Sequence, residues 1–244
     1  MSIDTITAKA LPGVRAVLTG DDLPPNTVWG RRIVDVPILA QGLVRFAGEQ
    51  VAAVVADDEE TAQRAVEVEY EELEAVLDPE AAMAADSPLV HPEVLDIPGM
   101  FYDMPRPQNH FIVWDWVNGD VDDGFKDADL IIENSYTTPS VHQLYMESHN
   151  QVTSIDDEGI MHVWAPCKAP YAARNQTARA VGLEPTQIVF HPVTIGGDFG
   201  GKGSPMNIPL GYFLNKATGK PVRMVWDYTE EFMAANPRHA SRLT

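Results

Sequence analysis

Residues 195–203 read Ile195-Gly196-Gly197-Asp198-Phe199-Gly200-Gly201-Lys202-Gly203. This glycine-rich turn sits between a β-branched run and a segment able to form a helix. Glycines flanking one aromatic leave the backbone unshielded, so the chain can adopt φ > 0 and bring its N–H groups against a ligand. Successive N–H groups at a helix entrance make an anion-binding nest, and Lys202 would add a point charge. The expected ligand is a phosphate or a phosphate-bearing cofactor. The competing expectation is a tight turn that serves packing alone.

The spacing narrows the choice of cofactor. Gly196, four residues, Gly201 and Lys202 nearly fit the P-loop, but the next position is Gly203 and not the Ser or Thr that holds Mg²⁺; Ser204 comes one residue late. Pro205 and Pro209 follow, and Pro209 is awkward for the helix a P-loop needs. A dinucleotide fold would place its glycines early in a βαβ unit with an acidic residue some way downstream, and that spacing is absent.

The chain has 244 residues, 45% hydrophobic and 22% charged, which suits one large domain or two small ones. A net charge of −19 argues against nucleic acid, whose phosphates need clustered Lys and Arg. The single cysteine, Cys167, excludes an intrachain disulfide and a cysteine-rich metal cluster. No apolar run approaches a membrane span, and the N-terminus lacks a signal-peptide pattern, so a cytoplasmic protein is expected.

The chain divides into a small α+β unit over 1–84, an extended linker over 85–110 and a second unit over 111–244. In the first, Val14–Leu18 is a strand closed by the turn cluster Thr19–Asp22. Gln50–Ala56 is a strand apolar enough to be covered on both faces. Asp57–Glu60 put carboxylates at a helix N-terminus, where the dipole favours them. Ala62, Ala65 and Val66 form a helical stripe, and Val66–Glu71 alternates as a strand, completing a strand–helix–strand crossover. The linker carries Pro88, Pro92, Pro98, Pro105 and Pro107. In the second unit Ile131, Val152, Met161–Trp164, Ile188–Phe190 and Pro221–Trp226 mark strands. Tyr171–Val181 and Pro209–Lys216 mark helices that stop at Gly182 and Gly219.

Taken together, these segments resemble the large, molybdenum-binding subunit of the xanthine dehydrogenase / aldehyde oxidase / carbon monoxide dehydrogenase family. Ala10-Leu11-Pro12-Gly13-Val14 with Val17–Pro24, then Val44–Ala56, Val68–Leu73 and Ala75-Val76, look like its α/β hammerhead domain. His142–His149 is similar to the segment opening its first molybdopterin-binding domain. Residues 196–202 are similar to its glycine loop, and Gly219–Arg223, Asp227, Glu230, Arg238 and His239 continue in order. The resemblance implies an α+β fold: a hammerhead-like domain, short at its N-terminus, followed by part of the molybdopterin-binding domain.

It also implies a molybdenum hydroxylase that oxidises an aldehyde, an N-heterocycle or a similar small molecule. Molybdopterin would be the cofactor, as the molybdenum–cytosine dinucleotide form. Electrons would pass to [2Fe–2S] and FAD on partner subunits. Gly196, Gly197, Asp198, Phe199, Gly200, Gly201 and Lys202 would meet the cofactor. No protein ligand to the metal is expected, and the general-base glutamate would come from the remaining large-subunit chain, since family members run several hundred residues longer. The expectation is thus one piece of a split subunit, with a non-catalytic assembly subunit as the alternative.

Two positions depart from the family pattern. Lys168 stands where a glutamine often lies near the metal, in the turn after Trp164, and is a candidate donor to an oxo group; an exposed surface lysine is the competing reading. Asp198 replaces a glycine beside Phe199. Glu147 and His149 would share a strand face, with structural hydrogen bonding expected of them. His239 is expected in a core or interface. The Asp120–Asp129 run does not fit a calcium loop and reads as a helix start. Cys167 is expected to be inert.

Overall fold

The computed structural model describes residues 2–31, 33–91, 109 and 116–244. The N-terminal unit runs β1 (Ser2–Ile3), α1 (Thr5–Ala10), β2 (Val14–Thr19), β3 (Val28–Trp29), β4 (Val36–Pro37), β5 (Ala52–Ala56), α2 (Glu59–Gln63) and β6 (Val68–Glu69). Carboxylates start both helices: Asp4 accepts from the N–H groups of Ile6 and Thr7, and Asp58 from that of Thr61. The expected crossover is not formed. β5 pairs antiparallel with β2, whereas β6 pairs antiparallel with β1, so the strands flanking α2 lie in different two-stranded sheets. With a single neighbour, β5 is half-buried along its length and not covered on both faces. The alternation over Val66–Glu71 yields a strand only at Val68–Glu69, because β1 is itself just two residues long.

The second unit contains α3 (Val121–Lys126), β7 (Tyr136–Thr138), β8 (Asn150–Ile155), β9 (Met161–Trp164), α4 (Pro170–Val181), β10 (Ile188–His191), α5 (Ile208–Thr218), β11 (Val222–Val225), α6 (Tyr228–Ala234) and β12 (Ser241–Leu243). Its four-stranded sheet has the order β10-β9-β8-β11. β9 and β10 are parallel across α4, and the other neighbours are antiparallel. Alternation puts Met161, Val163 and Ile188 in the core beneath α4 and α5. Gly182 at φ 72° and Gly219 at φ 62° end the two long helices in the left-handed conformation, as expected. Pro209 falls in the first turn of α5, where a missing N–H costs nothing, so it is no obstacle there. Asp120 caps α3, accepting from the Asp123 N–H at 3.0 Å, which accounts for the start of the acidic run. Ile131 lies outside any strand and is exposed. Of the linker prolines only Pro88 is described; the other four lie outside the described residues.

The two units share one core. Leu23, Ile38 and Leu39 from the first pack with Leu210, Leu214 and Val222 from α5 and β11. Arg179 of α4 donates to the Gly30 carbonyl at 2.5 Å, and Gly48 lies so close to the Met233 backbone that a Cβ there would clash. Leu214 is 1% exposed at the centre of this joint. Leu214→Ala should therefore cost about 2–5 kcal/mol, read as a lowered urea midpoint for the whole chain and not for one unit.

Candidate functional site

The glycine loop follows β10, and it ends well before α5 begins at Ile208. It is therefore not a helix entrance, contrary to the sequence expectation. Lys202 is also placed differently. Its side chain is fully buried, with Nζ 2.7 Å from Glu147 Oε2 and 4.6 Å above the Tyr145 ring. The Gly196 N–H donates to the same Glu147 oxygen at 2.7 Å. Although burial pushes the Glu147 carboxyl up, the Lys202 amine and this N–H hold it below its ordinary value. The inner glycines serve close packing. A Cβ on Gly201 would come 2.6 Å from the Tyr145 ring, and one on Gly196 would come 2.6 Å from the Glu147 Cβ.

The outer side of the loop is built differently. Phe199 is held at φ +43° and is 74% exposed, a costly backbone for a bulky residue. Gly200, at φ +102°, has open space where a Cβ would stand. Among the described residues, the N–H groups of Gly197, Asp198 and Phe199 have no hydrogen-bond acceptor. Asp198 turns inward. Its Oδ1 accepts from the Lys202 N–H at 2.6 Å, and its Oδ2 from the Gly200 N–H at 2.8 Å and the Lys168 Nζ at 3.0 Å. The two positions that depart from the family pattern are thus each other's partners.

Beneath the loop lies a residue that carried no signal in the sequence. Glu231 of α6 is fully buried and accepts from the Tyr145 hydroxyl. It also accepts from the His149 N–H at 2.6 Å, and it meets the ring nitrogens of His149 at 2.8 Å and His142 at 3.3 Å. Burial alone would raise this carboxyl, but the hydrogen bonds from His149 and Tyr145 hold it at about 2. The same burial and contact push the Tyr145 phenol far upward. Asp227 and Glu230, which the sequence offered as positions of the family pattern, form a capping box at the start of α6, Asp227 accepting from the Glu230 N–H at 2.8 Å. The adjacent Glu231 gave no pattern, because its partners lie more than eighty residues away.

Glu147 and His149 are not on a strand and do not act together: one serves the loop, the other Glu231. His149 does have the structural hydrogen-bonding role expected of it. His239 is exposed, not part of a core. Burial pushes the Cys167 thiol up, away from the reactive thiolate. Among the described residues no helix is long and apolar enough to cross a membrane.

Residues 102–244 match the family model of the molybdopterin cofactor-binding domain, and residues 1–74 match that of the aldehyde oxidase and xanthine dehydrogenase a/b hammerhead domain. The chain belongs to the molybdopterin cofactor-binding family. It is 31% identical to the nicotinate dehydrogenase large molybdopterin subunit of Eubacterium barkeri, over 98% of this chain and 54% of that one. It is also 31% identical, over its full length, to a probable xanthine dehydrogenase component of Bacillus subtilis (strain 168), of which it covers 31%. Among solved structures, a Cu,Mo-CO dehydrogenase superposes with TM-score 0.85 at 32% identity, over 98% of this chain and 31% of that one. The aldehyde oxidoreductase of Desulfovibrio gigas gives 0.79 at 26% identity, over 98% of this chain and 26% of that one. The family resemblance and the α+β fold read from the sequence are both borne out. The chain spans about a third to a half of the length of these curated relatives.

The buried carboxylate has two measurable consequences. Glu231→Ala strands a histidine and a phenol without their acceptor and should cost about 3–5 kcal/mol, measured by urea denaturation. The second concerns acid. Because the folded pKa of Glu231, about 2, lies below its ordinary 4.5, its stabilisation is complete above 4.5 and declines as pH falls from there toward 2. Trp226, whose ring is tilted against that of His149 with centroids 5.1 Å apart, should report this in fluorescence, and Glu231→Gln should flatten that part of the acid profile.

Proposed function

We propose that this chain supplies the hammerhead-like unit and the cofactor-facing glycine loop of a molybdenum hydroxylase large subunit, over segments 1–84, 85–110 and 111–244. The observation that carries this reading is the two-sided loop. Its inner side is fixed by Tyr145, Glu147 and Lys202, while Phe199 is exposed on its outer side and the N–H groups of Gly197, Asp198 and Phe199 are unengaged. Such preorganised donors, held by a structure that bears the strain elsewhere, suit a group with negatively charged oxygens. Molybdopterin, as the cytosine dinucleotide, fits that donor set. Bound there, it supplies the redox chemistry of an oxidoreductase acting on an aldehyde, an N-heterocycle or a similar small substrate.

In this reading Gly197, Phe199 and Gly200 approach the cofactor. Gly196, Asp198, Gly201 and Lys202 hold the loop in shape. The general-base glutamate, the rest of the site and the [2Fe–2S] and FAD partners come from polypeptide outside this sequence. The exposed apolar side chains Leu144, Met146 and Phe232 are consistent with a surface that other polypeptide covers. The relatives' names point the same way, as parts of dehydrogenases.

The test is elemental analysis of the complex purified natively through a tag on this chain. Stoichiometric molybdenum is the expected result; partner subunits without molybdenum would favour a non-catalytic assembly role. Gly200→Val should strip the metal from the complex, because the new side chain stands in the open space before the loop and the positive φ strains it besides. Far-UV circular dichroism checks that the fold survives the change. A full metal complement in that variant would move the cofactor away from Gly200.

A further inference from the structure

Lys168 and Asp198, each taken alone, would place an unbalanced charge beside the cofactor-facing loop. Asp198 makes more contacts than an ion pair requires. One carboxylate oxygen accepts the Lys202 N–H at 2.6 Å, the other accepts the Gly200 N–H at 2.8 Å, and its backbone carbonyl accepts the Gly201 N–H at 2.7 Å. Those side-chain contacts occupy N–H groups that a bound anion would otherwise use. The carboxylate is the loop's own anion. Burial opposes its charge, yet these donors and Lys168 keep its carboxyl below the ordinary range.

Lys168 closes the arrangement from the other side. Its Nζ lies 3.0 Å from Asp198 Oδ2, and its backbone N–H donates to the Lys202 carbonyl at 3.1 Å. Its stem passes Gly203 so closely that a Cβ there would be 3.1 Å from Lys168 Cε. The turn after β9 is therefore laced to the glycine loop by side chain and by backbone. The Lys168 side chain is 48% exposed, so the ion pair alone stabilises little. Its value lies in orientation and in charge balance.

We propose that Asp198 and Lys168 form a charge-compensated latch: Asp198 fills the loop's anion nest, Lys168 neutralises it, and Lys168 is thereby a positioning residue for the loop and not a donor to the bound group. The latch leaves only the Gly197–Phe199 side of the loop to receive a ligand. Its structural half stands on the geometry; its functional half rests on the molybdopterin reading.

The test compares Lys168→Met, Asp198→Asn and the double variant in the complex purified through this chain. Hydrogen exchange at the Gly200 and Lys202 amides is read beside molybdenum content and turnover, with the α5 amides as the folding control. Lys168→Gln replaces Lys168→Met should the latter fail that control. Lys168→Met should speed exchange at both loop amides by about tenfold, the scale of one lost charge-assisted interaction. It should also lower molybdenum retention, because an unpaired carboxylate is left facing an anionic cofactor. The double variant should retain more metal than Lys168→Met alone, which is the signature of compensation. Additive losses would overturn the latch. So would Lys168→Met with unchanged loop exchange and full metal but depressed turnover, since that outcome makes Lys168 a donor to the bound group. A wild-type complex without molybdenum would sink the cofactor reading, and loop exchange would still decide the latch.

Discussion

The glycine loop depends on one buried carboxylate. Glu231 gathers the Tyr145 hydroxyl, the His149 N–H and the rings of His149 and His142 around a side chain with no solvent exposure. A charge in that position is tolerable only because every approach to it is a donor. Tyr145, fixed by this contact, becomes the surface on which Gly197 and Gly201 lie and over which the Lys202 amine rests. The loop's shape is thus inherited from α6 through a single aromatic ring.

That dependence gives the loop its two faces. On the inner face, glycines let the backbone reach within contact of Tyr145 and Glu147, and buried charges are paired. On the outer face, Phe199 sits in a backbone conformation it would not choose in isolation. Strain at Phe199 persists because Asp198, Gly200 and Lys202 on either side are all tied down. A loop rigid behind and open in front is what a preorganised binding surface requires.

The hammerhead-like unit contributes to the same rigidity from a distance. Leu23, Ile38 and Leu39 complete the core against α5 and β11, and Gly48 abuts the Met233 backbone in α6, the helix that bears Glu231. The N-terminal unit therefore buttresses the elements under the loop. Its own sheets are short two-stranded pairs, which are marginal alone. A small cluster of Ala8, Val17 and Ala65 covers one side of them, and the core shared with the second unit adds to it.

Local signals carried far in this sequence. Gly182 and Gly219 ended α4 and α5, and carboxylates started α2 and α3, because caps act over a few neighbouring residues; α1, capped by Asp4, was not read. The glycine loop stood out for the same reason: a run of residues without side chains is visible wherever it occurs. Strand partnership was not legible. The sequence around α2 reads as a crossover, yet β6 chose β1 over β5, a choice made by packing between distant segments. Neither Lys202's burial against Glu147, nor Asp198's pairing with Lys168, nor Glu231's role beneath Tyr145 leaves a local trace. The residues fixed the turns, the caps and the family; only the folded chain decided which charges meet, since electrostatic partners are selected by proximity in space and these lie thirty to eighty-six positions apart.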